Sequence, residues 1–534
     1  MIIAFMGNDG SGKTTLAKKF EKALIALGFK VKYRTEFDYF LIALIFRLLG
    51  TEKVNKYRRL FLAKKDSDWT PNYFKIWPYL VWIDLILELL WHKIFNRDTI
   101  IVMDRYAYDF LMSWDWLEEI DDRLKWLYKR FPKPSIAFIM DALPQTAYLR
   151  KKETHTYKLQ FYEVQRKRYL NLAKTLQIKV INTEKPVEEC LRETISAFRG
   201  YFIKSHDEDK VLLFYSCPWF KPFLLQELNF SFDWSRLNWD YIVDLAVKCS
   251  TENVLCTNII QHHKDELPKK TYDVLNHVLG LSNARIELLH KTLKEVSRKL
   301  REKKVPFVVM KTIAPFDYGA TDIDILVRQE DLEKAQESLS SIFEDSKSSI
   351  IHKAVTYQGS FLPVDLHHEI SWLGNKVVDQ AKVFDRKRKI VFKDVELFVP
   401  SIEDELLILS AHSLFQHHYT TLGEYFNIVH IVSKENVDSQ YLLDSSNDYG
   451  WKNLLEPFLS YQAWMSFIIE DSLFIKKTWQ KNPTKLEITP IFLHGFHLIP
   501  KRNPSQLLDL LLSLFRVLRF KLTRKLAYNV NWLN

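Results

Sequence analysis

The string GNDGSGKT at Gly7–Thr14 lies between an apolar run, IIAFM, and the start of an amphipathic segment. It fits G-x-x-x-x-G-K-[ST] at every fixed position, in the strand-to-helix setting that the chemistry of phosphate binding requires. Gly7, Gly10 and Gly12 let the backbone turn its amides inward, with Asn8, Asp9 and Ser11 completing the loop. The helix opening at Lys13, Thr14 and Thr15 adds the partial positive charge of its amino terminus. Lys13 is expected to reach the β- and γ-phosphates of ATP and the Thr14 hydroxyl to ligate Mg²⁺.

A second group of polar residues follows an apolar run that ends at Asp104, with Arg105 and Tyr106 next. A carboxylate and a guanidinium at that place can hold Mg²⁺ through water and clamp a phosphate. Arg150, Lys151 and Lys152, and then Arg166, Lys167 and Arg168, are positioned along the chain to close over a transferring phosphoryl group. A solvated basic face is the alternative for any one of them.

Far along the chain, ATDIDILV places Asp322 and Asp324 two residues apart on a predicted strand, so both carboxylates point to one face. Ile323, Ile325 and Val327 then face the core. Asp365, in PVDLHHE, ends another strand-like run and is expected to join them. Three convergent carboxylates are a means of holding Mg²⁺ against a nucleotide's phosphates. Histidines at 367, 368, 412, 417 and 418 lack HExxH or Cys-type spacing, and a predicted helix over Glu403–Tyr419 puts His412 on a packed face, so they read as structural.

These residues need elements to hold them. Up to about Tyr201 strands and helices alternate, with predicted strands at IIAFM, Val31–Tyr33, Ile100–Met103, Ser135–Met140 and Ile178–Ile181. The order predicts an α/β fold, a doubly wound parallel sheet with helices on both faces. Gly7, Asp104, Asp141 and Asn182 each fall at the carboxyl end of a strand, where open α/β sheets bind their ligands. The polar run KSHDEDK at Lys204–Lys210 reads as a linker. The expected domains are 1–203, a helical region 211–304, a small α+β core 305–400 and a helical region 401–534. In the last, Pro504–Leu526 carries Asp509, Ser513, Arg516, Arg519 and Thr523 on one side of a leucine-rich helix. Such a helix either caps a helical domain or lies on an anionic bilayer.

At 534 residues the chain exceeds what a single core supports, so more than one domain is expected. Its 47% hydrophobic and 27% charged residues exclude disordered and fibrous classes. A net charge of +10 suits anionic substrates such as nucleotides, while no nucleic-acid signature is visible. Cys190, Cys217, Cys249 and Cys256 are not spaced as metal ligands and read as reduced thiols. The start at Met1 followed directly by a strand reads as lacking a leader, and the apolar stretches Tyr39–Phe46 and Leu80–Leu90 are too short or too charged to span a membrane. A cytoplasmic location is expected, and a homodimer is compatible with this reading.

GNDGSGKTT, the DRY at Asp104–Tyr106, PSIAFIMDALPQTAYLRKK and FYEVQRKRYLNLAK together resemble thymidylate kinase and related nucleoside monophosphate kinases over about Met1–Arg199. The resemblance implies ATP-dependent phosphorylation of a monophosphate, with Arg105 near the acceptor phosphate, Asp9 near its sugar and Arg150 leading into the lid. Where that family carries Thr-Arg-Glu-Pro this chain reads Arg34-Thr35-Glu36-Phe37, and a long insert, Phe37–Lys93, follows, so the acceptor is expected to be dTMP-like or another phosphorylated metabolite.

FVVMKT, Asp322-Ile-Asp324 and VDLHHE resemble the DNA polymerase beta-like nucleotidyltransferases over about Asp233–Val432, including WDYIVDLA and SIEDELLILSAHSLFQHH. This implies a second, metal-dependent transferase activity, with Lys311 contacting the triphosphate and Thr312 standing where the family has glycine. The alternative is a nucleotide-binding switch whose second half transfers nothing.

Overall fold

The computed structural model describes residues 1–27, 29–35, 82–87, 90, 99–112, 130–151, 158–203, 206–228, 230–349, 354–372, 375–417, 419–434, 437–470 and 491–493. Tyr39–Phe46, most of the insert between Phe37 and Lys93, and the amphipathic segment Pro504–Leu526 lie outside these residues. The chain divides between Tyr201 and Phe202 into two compact units.

The first unit runs β1 (Ile2–Gly7), α1 (Lys13–Ala26), β2 (Val31–Thr35), β3 (Ile100–Asp104), α2 (Ala107–Met112), β4 (Ile136–Asp141), α3 (Pro144–Lys151), α4 (Leu159–Leu176), β5 (Lys179–Asn182) and α5 (Val187–Phe202). The sheet order is β2-β3-β1-β4-β5 and every pairing is parallel. β1 is central and buried throughout, which its uninterrupted apolar run requires, because helices cover both sheet faces. Ile2, Ala4 and Met6 pack with Tyr169 and Ala173 of α4 on one face. On the other, Phe5 meets Phe20 of α1 at 5.3 Å between ring centroids, and Phe20 meets Phe198 of α5 at 5.9 Å. Parallel register aligns the carboxyl ends of all five strands, so Gly7, Thr35, Asp104, Asp141 and Asn182 share one edge.

The second unit begins with helices α6 (Asp207–Tyr215), α7 (Phe223–Glu227), α8 (Trp239–Lys248), α9 (Glu252–His263) and the 34-residue α10 (Lys269–Glu302). The expected linker is corrected here. Asp207–Lys210 form the first turn of α6, because Asp209 is buried and accepts a hydrogen bond from the Tyr241 hydroxyl at 2.9 Å.

A mixed sheet follows, with β6 (Phe307–Met310), β7 (Ile323–Val327), α11 (Leu332–Ser340), β8 (Asp345–Ser349), β9 (Ala354–Gln358) and β10 (Val364–His367) in the strand order β6-β7-β10-β9-β8. Two small hairpins, β11 (Ser371–Trp372) with β12 (Asn375–Lys376) and β13 (Arg388–Phe392) with β14 (Val395–Val399), flank α12 (Gln380–Arg386). The chain then continues through α13 (Ile402–Ala411), a π-helical turn (His412–His417), β15 (Tyr419–Thr421), α14 (Leu422–Lys434), α15 (Ser439–Asp448), α16 (Lys452–Glu470) and β16 (Ile491–Leu493), which pairs with β15. The continuous helix expected over Glu403–Tyr419 is thus replaced by α13, a wider turn and a strand.

Strand alternation decides which layer each β7 residue meets. Ile323, Ile325 and Val327 pack against Leu289, Leu293, Val296 and Leu300 of α10. Leu326 points the other way, into the core built by α12 to α16. Asp324 shares its face and is therefore aimed at the layer that contains α13. The four cysteines are buried free thiols. Among the described residues no helix is long and apolar enough to cross a membrane.

Candidate active sites

In the first unit the loop between β1 and α1 has the positive φ angles its glycines allow, 80° at Gly10 and 84° at Gly12. The packing is as restrictive as the torsion, since a Cβ on Gly10 would lie 2.3 Å from the Ala147 carbonyl oxygen. Lys13 is buried, and its ammonium donates to the Asn8 carbonyl at 3.0 Å and to Asp9 Oδ1 at 3.2 Å. Burial, with the charge of Arg105, pushes the Lys13 ammonium down from its ordinary pKa. Asn8 is anchored by its side-chain amide to the Tyr162 carbonyl at 3.0 Å, while Ser11 N closes the turn onto the Asn8 carbonyl at 3.1 Å. Thr14 and Thr15 stand exposed on the first turn of α1.

Asp104 is the last residue of β3 and pairs in register with Phe5 of β1, next to the loop. Its Oδ2 accepts from the Tyr33 hydroxyl at 2.7 Å, and its buried Oδ1 has no hydrogen-bond partner among the described residues. Arg105, in a left-handed conformation at φ 80°, forms an ion pair with Asp9. Arg150 donates to the carbonyls of Gly10 at 3.2 Å and Thr183 at 3.3 Å, so it lies against the phosphate loop. Arg166 grips Asp141 with two hydrogen bonds of 2.7 and 2.8 Å. Lys167 is exposed on α4.

One residue here escaped the sequence reading. Asp109 is buried and accepts from Gly7 N at 3.4 Å, Tyr106 N at 2.8 Å and the Tyr169 hydroxyl at 2.7 Å. Burial raises its carboxyl, opposed by Arg105 and these donors. Its position in DRYAYD, one helical turn past the strand end, is the available signal.

In the second unit, Asp324 lies between Met310 of β6 and Asp365 of β10, each its direct partner in register. The Lys311 ammonium is 3.1 Å from Asp324 Oδ1 and His367 Nε2 is 2.8 Å from the same oxygen. Burial would raise the Asp324 carboxyl, but Lys311 and His367 outweigh it and hold it well below the usual carboxylate range. Ligand atoms of Asp324, Asp365 and His367 all lie within 4.8 Å of one another.

Asp322 precedes β7 rather than lying within it, and it is exposed where Asp324 is buried. Solvent reaches that residue, yet the surrounding protein and the neighbouring Asp324 charge push its carboxyl up to about 6. Lys311, not Thr312, adopts the left-handed conformation, at φ 55°. The Thr312 hydroxyl accepts from Asp324 N at 3.1 Å and donates to the Met310 carbonyl at 2.9 Å, a pair of bonds no glycine could make.

Two further groups border this site. Glu405, buried on α13, accepts from Lys311 N at 3.1 Å, and burial pushes its carboxyl up to about 7. The His412 side chain is largely packed, on a π-helical turn rather than on the continuous α-helix expected. The π-helical turn sets its ring 4.2 Å from that of His417, and both face Glu424. Burial, followed by the charge of Lys311, pushes His412 down to about 4.

Glu405 yields a stability prediction. The folded protein holds this proton more tightly than the unfolded chain, whose carboxyl titrates near 4.5. The group therefore favours folding below about pH 4.5 and loses that contribution as pH climbs to about 7, a change of at most about 3 kcal/mol. Glu405→Gln keeps an acceptor for Lys311 N without the titration. Its stability relative to the parent is expected to rise between pH 5 and pH 8 in urea melts, and a pH-independent difference would contradict the assignment.

Residues 5–195 match the thymidylate kinase family. Over 206 residues the chain is 31% identical to a "Probable thymidylate kinase" of Sulfolobus acidocaldarius, which covers 36% of this chain and 94% of that protein. The chain belongs to the thymidylate kinase family. A second "Probable thymidylate kinase", from Sulfurisphaera tokodaii, is 28% identical over 204 residues, 36% of this chain and 93% of the relative. Residues 235–466 match a family described as "Uncharacterised nucleotidyltransferase". This thymidylate kinase family member therefore carries a nucleotidyltransferase family domain in its second unit, and the two matches support nucleotide phosphotransfer by the chain.

Proposed function

We propose that the first unit transfers the γ-phosphoryl group of ATP to a nucleoside monophosphate, dTMP-like or a related phosphorylated acceptor, and that the second unit transfers a nucleotidyl group. The observation that carries the first reading is the buried Lys13 ammonium, held within a loop of left-handed glycines against Asp9, which also pairs with Arg105. An acceptor phosphate oxygen attacks the γ-phosphorus as its bond to the β,γ-bridging oxygen breaks, and ADP leaves. Lys13 neutralises charge on the β- and γ-oxygens, Arg105 faces the acceptor and Arg150 closes on the loop, so positioning and charge supply the rate.

The residues present suit Mg²⁺. Asp104 offers a buried carboxylate oxygen without another partner among the described residues, and Thr14 offers an exposed hydroxyl on the first turn of α1, directly after Lys13. Asp104 and Thr14 would hold the ion, which supplies charge neutralisation on the phosphates when bound. In the second unit Asp322, Asp324 and Asp365 would hold Mg²⁺, while Lys311 contributes a fixed positive charge for the triphosphate. There an acceptor oxygen attacks the α-phosphorus and pyrophosphate leaves.

Incubation of the full chain with γ-labelled ATP and a panel of monophosphates tests the kinase reading. A phosphorylated acceptor is the expected result, and slow hydrolysis without any acceptor would favour a nucleotide-dependent switch.

A further inference from the structure

The cluster of His412, His417 and Glu424 lies on no strand of the carboxylate site, and its construction is specific. An α-helical path from α13 would bring residues four apart onto one face. The i to i+5 turn over His412–His417 instead brings together two histidines five apart, their rings tilted by 59° with centroids 4.2 Å from each other. Glu424 is aimed at them by a reciprocal cap on α14. Its Oε2 accepts from Thr421 N at 2.9 Å and from the Thr421 hydroxyl at 3.1 Å, and Glu424 N donates back to that hydroxyl at 3.3 Å. The other oxygen, Oε1, is left facing both imidazoles, 2.7 Å from His412 Nδ1 and 3.3 Å from His417 Nδ1.

We propose that His412 Nδ1, His417 Nδ1 and Glu424 Oε1 form a binding site for a borderline transition-metal ion of the Zn²⁺ class. One ring nitrogen of each histidine and one Glu424 oxygen lie within 4.8 Å of one another, and both Nδ1 atoms approach Oε1. Tetrahedral zinc with ligands at about 2.0–2.1 Å spaces its donors about 3.4 Å apart. The His417 to Glu424 separation already has that value, and the His412 separation needs to open by about 0.7 Å. Two nitrogens and one oxygen leave a fourth position open, as in sites where zinc keeps a water or a substrate atom. The donor balance also differs from that of its neighbour, since two imidazoles with one carboxylate favour zinc or nickel, whereas Asp324 and Asp365 with the single imidazole of His367 are richer in the carboxylates that suit magnesium. This inference stands on the donor geometry and does not need the second unit to transfer anything.

Cobalt(II) titration of the chelator-treated full chain in excess Mg²⁺ provides the test, because Co²⁺ substitutes for Zn²⁺ and reports nitrogen ligation in its visible absorption. One equivalent is expected to bind with a ligand-field band. His417→Gln should weaken that binding by roughly 10²-fold, at or above the cost of losing a supporting hydrogen-bond partner. Asp324→Asn should leave the band in place, so loss of transferase activity and loss of this site are told apart. His417→Cys keeps a donor and should add a thiolate-to-cobalt charge-transfer band, which a histidine with only a packing role could not produce. Absence of a band in the parent chain, or equal cobalt affinity and spectrum in His417→Gln, would overturn the proposal.

Discussion

Lys13→Ala is expected to lower phosphoryl transfer by the first unit by roughly 10²–10³-fold or more, the scale of deleting one charge-stabilising donor from a water-poor site. The fold should tolerate the change. The Lys13 ammonium is buried, so burial and the Arg105 charge both act against it, while the Asn8 carbonyl, Asp9 and the Asp109 charge compensate in part. Removing it leaves the Asp9 pair with Arg105 in place. The thermal midpoint should therefore stay level or rise while transfer from γ-labelled ATP collapses. Nucleotide exchange at the second unit should be unaffected. Undiminished ATP affinity and turnover in this variant would remove the basis for the kinase reading.

The first unit was readable because its signals are local. A phosphate loop states its strand, its turn and its helix within a dozen residues, and the other four strands end on the polar residues Thr35, Asp104, Asp141 and Asn182. The parallel sheet follows from alternation alone. Asp109 stayed hidden since its place shortly after the strand end is a weak signal, and the return of α4 is what brings Tyr169 onto it.

The second unit was legible in its strands and much less so in its helices. Period-2 spacing put Asp324 on the proper face, and the strand order then placed Asp365 beside it. Strand reasoning could not supply Glu405, which arrives from α13 across the sheet. The pairing of His412 with His417 was not legible in the sequence for a definite reason. Periodicity of 3.6 assigns residues 412 and 417 to different faces, and the extra residue per turn that brings them together has no sequence signature of its own. Thr312 likewise looked like a lost glycine, whereas the left-handed residue is Lys311 and the threonine hydroxyl supports the Asp324 backbone.

Two substitutions in that site separate chemistry from stability. Asp324→Asn and Asp365→Asn should each lower nucleotidyl transfer by on the order of 10³-fold, the equivalent of several kcal/mol of charge stabilisation at the phosphates. Their structural costs should differ. Asp324 is the ion-pair partner of Lys311 at 3.1 Å, and that ammonium is largely buried. Its loss strands a cation inside the protein, with an expected cost of about 3 kcal/mol. Asp365 faces Asp324 across the sheet, and its neutralisation relieves like-charge crowding that also raises Asp322. That variant should melt at or above the parent temperature. Pyrophosphate release with labelled nucleoside triphosphates, Mn²⁺ affinity by paramagnetic resonance and urea melts together read all three quantities. If Asp365→Asn keeps full Mn²⁺ affinity and transfer, the paired carboxylates do not form the ion site. If the parent chain itself transfers nothing, the second unit is better described as a nucleotide-binding remnant steadied by the Lys311 and His367 contacts to Asp324.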